Sequence, residues 1–371
     1  MKNTIKEIEI AENPAFLKEQ LISYLGNKRA ILNEILNVLC EIKSELKKQK
    51  ISFVDVFSGS GVVARAAKAY SSLVVANDLE DYSRVINSCY LSNFTPELKE
   101  QIDKSFKQIL EKFKPSESFI SELYAPKDNA NIKHGERVFY SRENALIIGG
   151  LRKAIEEIDL DFRHFFIAPL LSEASIHSNT GGVFKGFYKD KDGVGKFGGS
   201  GENALNRILG KITLQKPIFS NFTSEFEVYQ QDALRLTDIL SPLDIAYFDP
   251  PYNQHPYGSN YFMLNLIASY ERPSEISAVS GIAKDWNRSA YNQKSRAAEA
   301  FFELVSRLKT KFALISYNCE GFISRAQFEK NLAKFGRTEI LEQRYNAFRG
   351  SRNLSERNTH VTEFLYVLKK R

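Results

Sequence analysis

Apolar positions along this chain fall into two rhythms. Short, largely apolar runs over 51–57 (broken by Asp55), 73–77, 244–248, 311–318 and 362–368 predict strands, and the stretch 226–233 reads as one that ends at Asp232. Between them apolar residues recur at helical spacing. Ile31, Leu32, Ile35, Leu36, Leu39 and Ile42 stand in a Lys-rich background and predict a helix. Further helices are predicted over 62–70 and 81–94. The alternation of strand and helix is an α/β pattern. It lapses between 96 and 214, where charged helical segments (96–113, 142–158) alternate with loops, and it resumes after 215. The expected organisation is therefore 1–95, an insertion over 96–214, and 215–371.

The strand over 244–248 ends in Asp249-Pro250-Pro251-Tyr252. In open α/β sheets the loops beyond strand ends are where ligands bind. Asp249 can accept a hydrogen bond from an amino group. Pro250 has no N–H, so its carbonyl is a second acceptor with little local competition. Tyr252 offers a flat face for stacking. Two acceptors beside a stacking face suit a planar ring with an exocyclic NH₂. Taken alone, the same four residues would also serve as a strand closed by a Pro-Pro turn.

A second motif lies upstream. The strand over 51–57 runs into Ser58-Gly59-Ser60-Gly61 and then a helix, and the next strand ends at Asp78. Glycine lets a ligand approach the backbone, and an acidic residue at the second strand's tip is placed to bind ribose hydroxyls. Position 64 is Ala64 where a dinucleotide fingerprint has its third glycine, so a nucleoside without pyrophosphate fits better than a nicotinamide cofactor. S-adenosylmethionine is such a ligand. Asp232 is a further polar residue at a strand tip. Near the start, Tyr24-Leu25-Gly26-Asn27-Lys28-Arg29 precedes the first long helix. Cations there oppose the helix dipole and call for an anion, which a bound carboxylate or phosphate would supply.

Composition narrows the classes. The chain has 371 residues, 43% of them hydrophobic, with a net charge of +6, which allows a polyanionic partner. Its three cysteines and five histidines are scattered, so no disulfide framework and no metal are expected. No apolar run approaches a membrane span, and the charged first residues have no signal-peptide core, so a reducing, cytoplasmic setting and no membrane partner are expected. Between Lys185 and Lys216 seven basic residues face three acidic ones, with Phe184, Phe187 and Tyr188 among the lysines. That mixture suits phosphate and base contact, and equally a solvated hairpin. Arg344, Arg349, Arg352 and Arg357, with Glu356 the lone acid among them, form a second basic stretch suited to phosphates.

Taken together, Tyr24 to Lys28, Phe57 to Gly61, Asn77-Asp78, Asp232 and Asp249 to Tyr252 resemble, in order, the motifs of the alpha-class, Dam-like DNA adenine-N6 methyltransferases. The resemblance covers most of 20–95 and 215–371 and weakens in the insertion. It implies a doubly wound, mostly parallel Rossmann-like sheet with an inserted, mainly helical target-recognition domain. It also implies S-adenosylmethionine as cofactor, with Tyr24 and Lys28 binding it (Lys28 near its carboxylate) and Phe57, Gly59 and Gly61 lining its methionine side. Asp78 would hold the ribose, Asp232 would sit by the adenine, and Asp249, Pro250 and Tyr252 would hold a flipped-out target base. Asn179, Lys185 and Tyr188 would read the DNA sequence, while Arg344, Arg349 and Arg352 would hold its backbone. The partners implied are double-stranded DNA and a cognate restriction endonuclease, with the enzyme itself a monomer. The alternatives are an RNA adenine methyltransferase of the same fold and a DNA-binding module without catalysis. Asp249, where enzymes acting on protein amides usually have Asn, argues against that third substrate.

Overall fold

A computed structural model describes residues 11–346 and 360–371. Seven strands form one sheet: β1 (Ile51–Asp55), β2 (Ser71–Asp78), β3 (Glu225–Gln230), β4 (Leu243–Phe248), β5 (Thr310–Asn318), β6 (Gly336–Asn346) and β7 (His360–Lys370). Their spatial order is β3-β2-β1-β4-β5-β7-β6. The first five are parallel, while β7 is antiparallel to both β5 and β6. The chain reverses direction across the sheet between β1 and β4, so the loops at their carboxyl ends open a crevice.

Side-chain alternation divides the sheet's core between two faces. Phe53, Tyr247 and Leu314 pack with Ile35, Leu36 and Leu39 of the helix Leu32–Glu45. Val54, Phe248 and Ile315 point the other way, onto Phe301 and Leu304 of the helix Ala297–Arg307 and onto Phe328. Each fully buried large apolar side chain contributes about 1.5–3 kcal/mol, so burial on both faces holds these strands more firmly than strand propensity could.

The insertion is helical, as expected; it closes only a small cluster of its own around Val138, Phe197 and Ile208, and most of its core is shared. Ile109, Ile148, Leu151, Phe166 and Leu170 share one cluster with Tyr82, Ile86 and Tyr90 of the helix Asp81–Leu91. Met263 and Ile267 of the helix Phe262–Ser269 belong to the same cluster. The helix Leu160–Ile176 sits at its centre, with Pro169 inside it. Being apolar nearly all round, it lacks the amphipathic period that marks a helix in sequence. β6 was likewise unexpected. Arg344 lies exposed on that strand, paired in register with Thr362, and not in a loop. Arg349, Arg352 and Arg357 fall outside the described residues.

Candidate active site at the carboxyl edge of the sheet

The crevice beside β1 and β4 offers about 810 Å³ of empty space, its opening to solvent included. Tyr24, Lys28, Phe57 and Gly59 line it, and so do Asp78, Asp232 and Asp249. Gly61 stands just behind, with φ +76°, where it caps the helix Val62–Ala67. The glycine requirement is steric at Gly59: φ is +51°, and a Cβ there would lie 2.6 Å from the Tyr24 hydroxyl. Tyr24 is itself fixed by stacking on Tyr257 and Tyr261, with ring centroids 5.1 and 4.8 Å away.

Strand tips position the polar groups. Asn77 bridges three of them: its Nδ2 donates to the carbonyls of Val56 and Gln231, and its Oδ1 accepts from the Gln231 amide. Asp78 accepts from the Gly59 amide at 2.8 Å and the Glu80 amide at 3.1 Å. Burial nevertheless pushes its carboxyl up to about 6. Asp232 turns back to accept from the Leu234 amide.

At the end of β4, Asp249 Oδ1 lies 2.9 Å from Lys28 Nζ. Burial raises the Asp249 carboxyl to about 7 in spite of that ammonium, and the charge of Glu363 works in the same direction. Burial opposes the Lys28 charge, yet Asp249 and Glu363 hold its pKa well above the ordinary lysine value. The anion expected to offset Lys28 is therefore supplied by the protein itself, twice over. Among the described residues no backbone donor reaches the Pro250 carbonyl, so this acceptor stays free. Tyr252, half-buried and next to the Pro251 that lines the crevice's edge with Asp249, packs edge-on to Tyr317 and is not itself part of the crevice wall.

Several residues of the site are not among the candidates read from the sequence. Asp55 is 1% exposed and lines the crevice, and its Oδ1 has no hydrogen-bond partner. Burial, then Asp249 and Asp78, push its pKa well up. Glu80 is raised to about 8 by burial and by Asp78, and it is held by Asn265 and Asn287. Four carboxyl groups with raised pKa values thus surround a crevice whose lining includes one cation, Lys28. Such a cavity favours a cationic ligand, because a positive charge relieves the mutual repulsion of the acids. An acidic residue inside a strand pattern, as at Asp55, and a charge in the last strand, as at Glu363, are the faint signals that were there to read.

The insertion loop departs from expectation at one position. Asn179 is fully buried. Its Nδ2 donates to the carbonyls of Val138 and Lys196, and its Oδ1 accepts from the Gly198 amide. Asn179 therefore ties this loop together and has no polar group left for a base edge, which corrects its assignment as a sequence reader. Tyr188, half-buried, donates its amide to the Asn179 carbonyl. Lys185 is exposed, with Nζ 3.0 Å from Nδ1 of His255, three residues beyond Tyr252. The tip of the loop thus lies against the Asp249 segment.

The profile of the family described as D12 class N6 adenine-specific DNA methyltransferase matches residues 24–331. The type II methyltransferase M.NlaIII of Neisseria lactamica is 30% identical over 94% of this chain and 99% of its own length. The type II methyltransferase M.CviAII of Paramecium bursaria Chlorella virus 1 is 27% identical over 94% of this chain and 98% of its own. The type II methyltransferase M.FokI of Planomicrobium okeanokoites is 27% identical over 94% of this chain, which spans 52% of that protein.

Proposed function

The chain belongs to the D12 class N6 adenine-specific DNA methyltransferases, and from that premise we propose how the crevice serves the reaction: S-adenosylmethionine binds in it as methyl donor, and a target adenine is held flipped out at its mouth. The observation that carries this is one continuous acidic crevice running from Asp78 to Asp249, with an unpaired carboxylate oxygen of Asp55 between. The cofactor would supply an activated methyl group on a cationic sulfur. Asp78 would accept from its ribose hydroxyls and Asp55 from its ammonium, and Asp232 would stand by its adenine. Phe57, Gly59 and Gly61 would shape the methionine side. Tyr24 and Lys28 would complete the wall, Lys28 by holding Asp249.

The N6 lone pair of adenine is delocalised into the ring and is a poor nucleophile. Hydrogen bonds from its NH₂ to the Asp249 carboxylate and the free Pro250 carbonyl would turn that lone pair toward the methyl group. Positioning and electrostatics then do most of the work. The target atom lies inside a duplex, so the base must leave the stack, and Tyr252 offers the ring on which to place it. Lys185, beside His255, is placed to contact DNA next to the flipped nucleotide. Tyr188 and Arg344 are two further exposed or half-exposed candidates for that contact. The naming of the relatives as type II methyltransferases favours modification of one defined site, as the methylating member of a restriction–modification pair.

The test is to sequence N6-methyladenine in DNA from a methylation-free host expressing the protein. The expected result is methylation confined to one sequence context, and none with Asp249→Ala. Unmodified DNA in both strains, or modification that survives the substitution, would reject the reading.

A further inference from the structure

β7 brings one charged side chain into the interior at the catalytic edge. Glu363 is 2% exposed and sits opposite Asn318 in the β5–β7 ladder. Because β7 runs antiparallel to β5, its beginning reaches the carboxyl edge where Asp249 sits. Its Oε1 accepts from Lys28 Nζ at 2.9 Å and from the Ser316 hydroxyl, and Asn318 Nδ2 lies 3.5 Å from Oε2. Lys28 Nζ is equally 2.9 Å from Asp249 Oδ1. One buried ammonium is thus divided between two carboxylates, one on either side.

We propose that Glu363 is a positioning residue for methyl transfer, acting through Lys28 to hold Asp249 as a strong acceptor. The proposal rests on the reading of Asp249 as the acceptor for the target amino group. In the transfer the nitrogen lone pair forms the new N–C bond, and the C–S bond breaks with its electron pair left on sulfur. Positive charge therefore passes from sulfur to N6, and an N6 proton then leaves by way of Asp249 to water. Were Lys28 paired with Asp249 alone, the pair would be neutral and its oxygens a poorer partner for that charge. Glu363 takes part of the Lys28 charge, so Asp249 keeps more of its own, in line with the upward push that Glu363 exerts on it. Among the described residues, the other titratable groups recorded against Lys28 and Asp249 are Tyr247, Tyr252, Tyr257 and Asp55, and Glu320 stands behind Tyr252.

The experiment uses the full chain with tritiated S-adenosylmethionine and DNA from a host lacking adenine methylation. Glu363→Gln should lower kcat about tenfold at pH 8, the worth of one weakened charge contact. The deficit should shrink toward pH 6, because removing a neighbouring negative charge moves the acid limb down by about one unit. Affinities for the cofactor and for DNA should stay within about twofold. Glu363→Asp, which keeps the charge, should leave the acid limb where the native enzyme has it, and it serves if the Gln variant does not fold. Adding Glu363→Gln to Lys28→Met should cause no further loss. A superimposable pH profile, a defect confined to cofactor affinity, or multiplying losses in the double variant would overturn the proposal. Activity that survives Asp249→Ala would instead strike the acceptor reading beneath it.

Discussion

The crevice edge and the 177–201 loop are both rich in polar residues, and they use them in opposite ways. In the loop, polar groups are spent on the chain itself: Asn179 bonds Val138, Lys196 and Gly198, and the carbonyls of Ser178 and Thr180 accept from Arg207 of the short helix Leu205–Leu209 that follows. At the edge, Asp55 Oδ1 and the Pro250 carbonyl are left without a partner, and four acids crowd together with raised pKa values. A chain gains nothing in stability from such an arrangement, since burying unpaired polar groups costs about 1–3 kcal/mol each. Spare hydrogen-bonding capacity therefore distinguishes the site from the loop better than polarity does.

The strongest way to break this contrast is at Asp249. Asp249→Ala should lower methyl transfer by about a thousandfold or more, in the range for losing a preorganised transition-state contact, while thermal melting stays close to native. Near-native turnover would show that the edge is no more functional than the loop. The same carboxyl predicts a pH dependence. Its pKa is raised to about 7, and the ionised form is the acceptor, so activity should fall as pH drops through about 7. A kcat profile flat from pH 8 to 5.5 would contradict this.

Asp78 offers a sharper, smaller effect. Asp78→Ala should weaken cofactor binding by about 1–3 kcal/mol in calorimetry, because partners on the ribose lose their acceptor. With the native carboxyl at about 6, affinity should also decline below that pH, as protonation removes the acceptor. For the loop the contrast predicts a different readout. Asn179→Ala should lower unfolding stability by about 1–3 kcal/mol, since it orphans the Gly198 amide and two carbonyls. A loss of DNA discrimination with unchanged stability would return Asn179 to the role of reader. Lys185→Ala should be the mildest: native stability, weaker binding to all duplexes, and a salt slope reduced by about one unit. A loss limited to one base position would make Lys185 a base reader instead.

Much of the site could be read from the chain because its chemistry sits at strand ends, where a polar residue interrupts an apolar run. Asp78, Asp232 and Asp249 stand out for that reason, and Gly59 and Gly61 mark a turn that other residues would strain. Four of the seven strands were visible as apolar runs that the sheet buries, β3 as a more polar run at the sheet's edge, and β7 as a shorter version of itself. β6 was not, because Arg337, Glu339, Glu342 and Arg344 interrupt its apolar residues. The helix Leu160–Ile176 was hidden by its own burial.

The sequence by itself determined the kinds of chemistry on offer and their order along the chain, since local patterning sets strand ends and turns without reference to distant residues. Tertiary structure decided which of those groups are free. Whether an asparagine reads a base or braces a loop depends on carbonyls 17 and 41 residues away in the chain, as it does for Asn179 with Lys196 and Val138. Whether Lys28 waits for a ligand or pairs with the protein depends on Glu363, 335 residues further on. That contact exists only because β7 enters the sheet antiparallel and delivers its first residues to the catalytic edge.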